Sequence, residues 1–295
     1  MVDAPQQETV AFLGIGTMGH GMALSALRAG LPTVVWNRSA SSAEELGRVG
    51  AQVAESAAEA AARGTIAVTM VTDAVVSIAA DQGALEALPR GGIWAQMSTI
   101  GIAGIARCAA LVDRERPDVA LVDAPVSGSE VPAEQGRLTI FASGPDEARA
   151  RIAPLFDALA QRTVWVGPLG AGSRRKLVNN TLLAFKAEGR GTSIALALGV
   201  GLDVRRVRDA LGPLLSPWDT AKLERMTRGE FSAEFALALA LKDVHLALET
   251  VDRERFAAYT ALAHEWEAAV DQGLGNEDVT SVMLALEGEQ GKVGR

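Results

Sequence analysis

The run Phe12-Leu13-Gly14-Ile15-Gly16-Thr17-Met18-Gly19 places three glycines where an apolar strand turns into a helix, and it constrains the fold more than any other stretch. Residues 10–13 read as a buried strand, 18–29 as a helix closed by Gly30, and 33–36 as a second strand, so the unit is β-α-β. In such a unit Gly14 permits the tight bend, Gly16 lets the backbone approach a ligand, and Gly19 lets the helix pack closely on the strand. The amides around Ile15, Thr17 and Met18 then face an anion of the pyrophosphate type. With 30 glycines in 295 residues, chance versions of the pattern arise. The flanking strands and helix are what distinguish a dinucleotide turn from an ordinary bend.

The end of the second strand bears on which dinucleotide. A ribose held as a diol calls for Asp or Glu about 20 residues beyond the first glycine, whereas a 2′-phosphate calls for Arg. The chain has Asn37-Arg38-Ser39 there and no carboxylate. A guanidinium takes phosphate oxygens in bidentate fashion and the Asn and Ser side chains add neutral donors, which favours NADP over NAD. Otherwise Arg38 is a solvated loop charge.

From residue 10 to about 167, short apolar strands at 33–36, 66–70, 93–97, 120–123, 138–142 and 163–166 alternate with helical stretches. The expectation is an α/β class with a mostly parallel sheet covered by helices. Pro-Leu-Gly-Ala-Gly at 168–172 ends the alternation and everything beyond reads as helix. Two domains are therefore expected, residues 1–168 and 169–295. The Leu/Ala alternation of 235–248 has strand period but helix composition, and is read as a buried helix.

Composition excludes several classes. A formal net charge of −8 argues against general affinity for nucleic acid or anionic membranes. No apolar run approaches the ~20 residues of a membrane span, and the first eight residues lack the basic and apolar regions of a secretion signal. A soluble cytoplasmic protein is expected. The single cysteine, Cys108, cannot form an internal disulfide and reads as a packing residue. His20, His245 and His264 lie far apart without metal-type companions, so no metal site and no Ser-His-Asp triad are expected.

In open α/β sheets ligands sit beyond the carboxyl ends of strands. Val71-Thr72-Asp73, Ser98-Thr99 and Asp123-Ala124-Pro125-Val126-Ser127-Gly128-Ser129 occupy such positions. Ser127 and Gly128 can offer a hydroxyl and amides to a carboxylate, or form an ordinary loop. Further on, Gly170-Ala171-Gly172-Ser173-Arg174-Arg175-Lys176-Leu177-Val178-Asn179-Asn180 opens a long helix that puts Lys176 and Asn180 one turn apart on one face. Arg174, Arg175 and Lys176 oppose the positive end of the helix dipole, which costs a few tenths to about 1 kcal/mol per exposed charge. A bound anion would compensate, and the crowded positive charge would lower the Lys176 pKa toward the range useful for proton transfer. The alternative is a solvated charge run.

Taken together, FLGIGTMGHGMA at 12–23, MVTD at 70–73, MST at 97–99, DAPVSGS at 123–129, GAGSRRKLVNN at 170–180 and FALALALKD at 235–243 resemble the β-hydroxyacid dehydrogenase family over nearly the whole chain. That family includes 3-hydroxyisobutyrate dehydrogenases and tartronate semialdehyde reductases and is related to 6-phosphogluconate dehydrogenases. The resemblance implies a Rossmann domain joined by a long helix to an all-helical domain, assembled as a homodimer or homotetramer. It implies NADP-dependent interconversion of a small β-hydroxy acid and its semialdehyde or keto form. Lys176 is then the catalytic acid/base, Ser127, Gly128 and Asn180 hold the carboxylate-bearing substrate, and Lys242 lies near the cofactor with the Val71, Thr72, Ser98 and Thr99 loops.

Some positions depart from the family pattern. Ser129 stands where a second glycine is usual and adds a side chain to the substrate loop. Thr192 replaces an acidic residue, and Gln96 and Ile102 replace a usual Asp and Pro. TVVWNRS at 33–39 also resembles NADPH-dependent imine reductases, which usually carry Asp or Tyr in place of Lys176. An imine reductase is therefore the second reading and a non-catalytic NADP-binding protein the third. The substrate side chain would be met by second-domain residues around Trp218, Met226 and Phe235.

Overall fold

The computed structural model describes residues 8–73, 75–203, 206, 211 and 215–286, without the side chains of residues 40, 217 and 218. The chain divides into two compact units, Met1–Lys176 and Leu177–Arg295.

In the first unit six parallel strands form one sheet: β1 (Val10–Leu13), β2 (Thr33–Trp36), β3 (Gln52–Val53), β4 (Ile66–Thr69), β5 (Ile93–Gln96) and β6 (Ala120–Asp123). Their order is β3-β2-β1-β4-β5-β6, the doubly wound arrangement, so the chain reverses direction across the sheet between β1 and β4. Alternation along each strand feeds two cores. Val10 and Phe12 pack with Met22 and Ala26 of α1 (Thr17–Arg28) on one face, while Ala11 and Leu13 pack with α3 (Ala57–Arg63) and α6 (Gly101–Glu115) on the other. Between them lie α2 (Ala40–Arg48), α4 (Val75–Ala79) and α5 (Ala84–Ala87). Gly30, at φ +77°, closes α1, as the sequence suggested.

The last strands leave this sheet. β7 (Val126–Ser127), β8 (Leu138–Ala142) and β9 (Ala160–Trp165) form a separate three-stranded sheet in which β7 and β8 are antiparallel, with α7 (Glu130–Glu134) and α8 (Arg149–Leu159) between strands. The sequence placed 138–142 and 163–166 in one mostly parallel sheet with the earlier strands. The cause of the difference is β7, a two-residue strand too short to show any period, which folds the chain back within a few residues of β6. An isolated bridge from Asp123 to Ser143 touches the end of β6 to the end of β8.

Helix α9 (Ala171–Gly199) starts in the first unit and ends in the second. The second unit also contains α10 (Pro217–Thr227), α11 (Leu237–Leu248), α12 (Ala257–Asp271) and α13 (Val282–Leu286), so the Leu/Ala repeat is helical. Its core includes Leu223, Met226, Leu237, Leu241 and the fully buried Trp266. Among the described residues no helix is long and apolar enough to cross a membrane, and no group of three His, Cys, Asp or Glu is placed to hold a metal.

Candidate active site

The glycine turn lies at the carboxyl end of β1, beside the point where the strand order reverses. Gly14 has φ +107°, and a Cβ on it would lie 2.4 Å from Val71 Cγ1 and 2.7 Å from the Met70 carbonyl oxygen. A Cβ on Gly19 would lie 2.1 Å from the Gly14 carbonyl oxygen, so the third glycine is what lets α1 close on the turn. Gly16 differs: it is exposed, has φ −75°, and nothing lies within 4 Å of where its Cβ would be. It is the N-cap of α1, without a side-chain cap and without an acidic residue in the first turn. The backbone is therefore open to approach at Gly16, and α1 supplies no acidic residue of its own at this end. These residues fit a dinucleotide pyrophosphate.

The adjoining loop is fastened to this turn. Asn37 Oδ1 accepts from the Ile15 amide at 3.0 Å and Asn37 Nδ2 donates to the Ser39 carbonyl at 3.0 Å, so the Asn37 amide braces the two loops. Ser39 is the N-cap of α2, yet its hydroxyl does not cap the helix. Arg38 is exposed beside it, and α2 has no acidic residue in its first turn.

Across the crevice, Ser98 is buried and its hydroxyl oxygen accepts from the Val71 amide at 2.8 Å. Gln96, fully buried, closes a ring on the Ser98 backbone: its Nε2 donates to the Ser98 carbonyl and its Oε1 accepts from the Ser98 amide. Gln96 therefore acts as a brace, and Ser98 fixes the shape of the loop that presents Val71 and the exposed Thr72. Thr99 is half-buried at the start of the next turn.

Asp123, the first residue of the DAPVSGS motif, carries no assigned role in the sequence. It is fully buried at the end of β6, and its Oδ2 accepts from the Ser173 amide at 2.8 Å and the Ser143 hydroxyl at 3.2 Å. Its Oδ1 accepts from the Ser173 hydroxyl at 2.8 Å. Burial pushes the Asp123 pKa up, while the Ser173 and Ser143 hydrogen bonds and the Arg174 charge oppose the rise. The Gly172 amide donates to Ser143 Oγ at 2.9 Å. The α9 N-terminus is thus met by a carboxylate of the chain itself, which also feels the Arg174 charge.

Four residues beyond Asp123 comes the Ser127 loop. Ser127 ends β7, Gly128 is exposed at φ +136°, and Ser129 is the N-cap of α7 with its hydroxyl not used for capping. The short helix α7 is held from behind by α1. Ser25 Oγ donates to the Ala133 carbonyl at 2.8 Å, and a Cβ on Gly21 would meet the Glu134 amide nitrogen at 2.9 Å. The glycine-turn helix and the serine loop are thus parts of one packed block. Lys176, half-buried, follows Ser173 by three residues on α9.

In the second unit Asn180 is buried and donates from Nδ2 to Asp243 Oδ2 at 2.6 Å, while Lys242 Nζ pairs with Asp243 Oδ1 at 2.7 Å. Asp243 was visible in the FALALALKD motif but unassigned; it joins the two residues the sequence had named. Thr192 donates to Glu188 Oε1, and Trp266 Nε1 donates to Glu188 Oε2, so a carboxylate stands one turn before the position where the family's acidic residue is missing. Met226 is a core residue and Phe235 is half-buried; the side chain of Trp218 lies outside the described residues.

Residues 9–167 match the family model of the NAD-binding domain of 6-phosphogluconate dehydrogenase, and 170–286 match that of the NAD-binding domain of NADP-dependent 3-hydroxyisobutyrate dehydrogenase. Together with the sheet order and the glycine turn, these matches define a nicotinamide-dinucleotide oxidoreductase. The chain belongs to the β-hydroxyacid dehydrogenase family, in its 3-hydroxyisobutyrate dehydrogenase-like branch. It is 31% identical to glyoxylate/succinic semialdehyde reductase 1 of Arabidopsis thaliana over 94% of this chain and 98% of that one. It is 29% identical to the NAD-dependent L-serine dehydrogenase of Pseudomonas aeruginosa over 96% and 99%. The crystal structure of 3-hydroxyisobutyrate dehydrogenase from Salmonella typhimurium superposes with TM-score 0.83 at 27% identity, covering 94% of this chain and 99% of that one. An imine reductase from Pseudomonas shares the fold, with TM-score 0.61 at 24% identity over 95% and 100%.

Proposed function

We propose that the protein interconverts a small β-hydroxy acid and its semialdehyde or keto form with NADP as hydride carrier. What supports this reading is that Asp123, four residues before Ser127, hydrogen-bonds the first turn of the Lys176 helix at Ser173. The amides that open α1, at Thr17 and Met18, would hold the pyrophosphate, the Gly14 and Ile15 amides being bonded to Trp36 and Asn37, and Val71 and Thr72 would flank it. When bound, the nicotinamide gives or takes the hydride at its C4. Ser127 and the Gly128 amide bind the substrate carboxylate, with the spare Ser129 hydroxyl beside them. Lys176 Nζ passes a proton to the carbonyl oxygen during reduction and removes it during oxidation. Asn180, one turn along the same helix and fixed by Asp243, orients the substrate, and Lys242 pairs with the same Asp243.

Arg38, exposed beside an uncapped and acid-free α2 terminus, supports NADP over NAD. A homodimer is supported by α9, where Val178, Leu182, Phe185 and Leu196 are exposed at the spacing of one helical stripe. The single thiol, Cys108, is buried with its pKa pushed up to about 12 chiefly by burial, which suits a reducing compartment such as the cytoplasm.

A spectrophotometric panel of semialdehydes, short hydroxy acids and cyclic imines tests the substrate class, with turnover expected on carboxylate-bearing carbonyls. Turnover of the imines alone would select an imine reductase, and tight NADPH binding without turnover a non-catalytic protein. Lys176→Ala should lower kcat by about 10²- to 10⁴-fold with NADPH affinity little changed, the usual scale of general acid-base catalysis.

A further inference from the structure

Asp123 is fully buried, yet its carboxylate ties together three separate parts of the first unit. Its three hydrogen bonds reach Ser143, 20 residues on, and Ser173, 50 residues on. Two of the amides that α9 leaves without helical partners, those of Gly172 and Ser173, end on Ser143 Oγ and on the Asp123 carboxylate. The contact is close because residue 172 has no side chain. A Cβ there would lie 2.3 Å from the Phe141 carbonyl oxygen and 2.8 Å from that of Asp123, both backbone atoms of strands. The helix end is pressed onto the ends of β6 and β8, and the carboxylate fixes both its height and its rotation. Rotation is the sensitive quantity. One residue of slip turns a helix by about 100°, which would carry Lys176 to another face.

We propose that Asp123 is a positioning residue for the reaction: it sets the register of the first turn of α9, and with it Lys176, against the strand end from which the Ser127 loop departs. The inference rests on the reading of Lys176 as the proton carrier. Asp123 acts only through that lysine and does not touch substrate or cofactor.

The test is a double-mutant cycle in the full-length protein with Asp123→Ala, Lys176→Ala and the combination, scored by kcat at saturating NADPH and by the NADPH Kd. Asp123→Ala should lower kcat about tenfold to a hundredfold, the scale of a displacement of about 1 Å at a reacting group, and leave the NADPH Kd within about twofold. In the Lys176→Ala background the same change should cost nothing further, because the group it positions is gone. Asp123→Asn should restore kcat to within about threefold of the parent, since its oxygen can accept from Ser173 and Ser143 and its amide can donate to the Ser173 hydroxyl. Should Asp123→Ala fail to fold, Ser173→Ala, which removes one of the three bonds and keeps the amide contact, takes its place in the cycle with a smaller expected loss. Parental kcat in the single variant, an equal loss in both backgrounds, or an Asn variant as slow as the Ala variant overturns the inference. Parental turnover in Lys176→Ala overturns the reaction reading itself and the inference with it.

Discussion

Gly16 and Gly19 are three residues apart in one motif, yet the geometry assigns them separable roles that single methyl groups can expose. At Gly16 the backbone has φ −75° and ψ −173°, which any residue adopts, and a Cβ would meet nothing within 4 Å. Gly16→Ala should therefore fold as the parent does: the lost chain entropy of glycine stabilises by about 0.4–1 kcal/mol, offset by the poorer N-cap that alanine makes. Its effect should be confined to the ligand. The methyl would occupy the space through which a phosphate oxygen approaches the amides, and losing one charge-assisted hydrogen bond costs about 1.5–3 kcal/mol. At 1.4 kcal/mol per decade this is about a tenfold to a hundredfold rise in the NADPH Kd. At Gly19 the methyl would sit 2.1 Å from a backbone oxygen that cannot swing away. Gly19→Ala should push α1 off the turn, destabilise by about 1–3 kcal/mol as overpacking does, and weaken NADPH binding as well. Thermal denaturation with and without NADPH, beside calorimetric titration, separates the two. Unchanged NADPH affinity in Gly16→Ala would refute the view that a phosphate approaches this backbone, and a parental Tm in Gly19→Ala would refute the packing role of the third glycine.

Two further outcomes follow from the same geometry. Arg38→Ala should raise the NADPH Kd about tenfold to a hundredfold, since its guanidinium would supply charge-assisted bonds to the 2′-phosphate, and leave NADH binding unchanged; equal NADPH binding by both proteins removes the assignment. Leu182→Glu, at 62% exposure, should leave the fold intact, because exposed substitutions move stability by about 0.5 kcal/mol or less, but should halve the mass seen by light scattering if α9 is a subunit contact. A parental mass in that variant counts against the dimer.

The parts of the fold that the sequence announced are those carried by local pattern. The boundaries of β1, β2 and β6 could be read from apolar runs between turn signals, and the glycine turn from spacing alone. Gln52–Val53 and Val126–Ser127 were missed because two residues show no period, and missing the second merged two sheets into one. Side-chain roles were less legible. Asn37, Ser98 and Gln96 sit where ligand contacts are expected, yet their amide and hydroxyl groups are engaged with the backbone of neighbouring loops. No single-sequence signal distinguishes a donor aimed at a ligand from one that braces the loop presenting it.

The basic start of α9 shows the same limit in its sharpest form. Three consecutive cations at a helix N-terminus are an electrostatic conflict that can be seen in the sequence, which reads it as calling for a bound anion; the fold brings the Asp123 carboxylate to that helix end. What the sequence cannot supply is the anion's identity, because Asp123 lies 50 residues upstream of Ser173 and is brought there by a β-bridge and a glycine that lets backbones touch. An internal carboxylate changes the mechanistic consequence. If a substrate or cofactor were the counterion, the helix and its lysine would be ordered only on binding. On the proposed reading, Asp123 holds the first turn of α9 through Ser173 without a ligand, so binding energy would not be spent on assembling the support of Lys176.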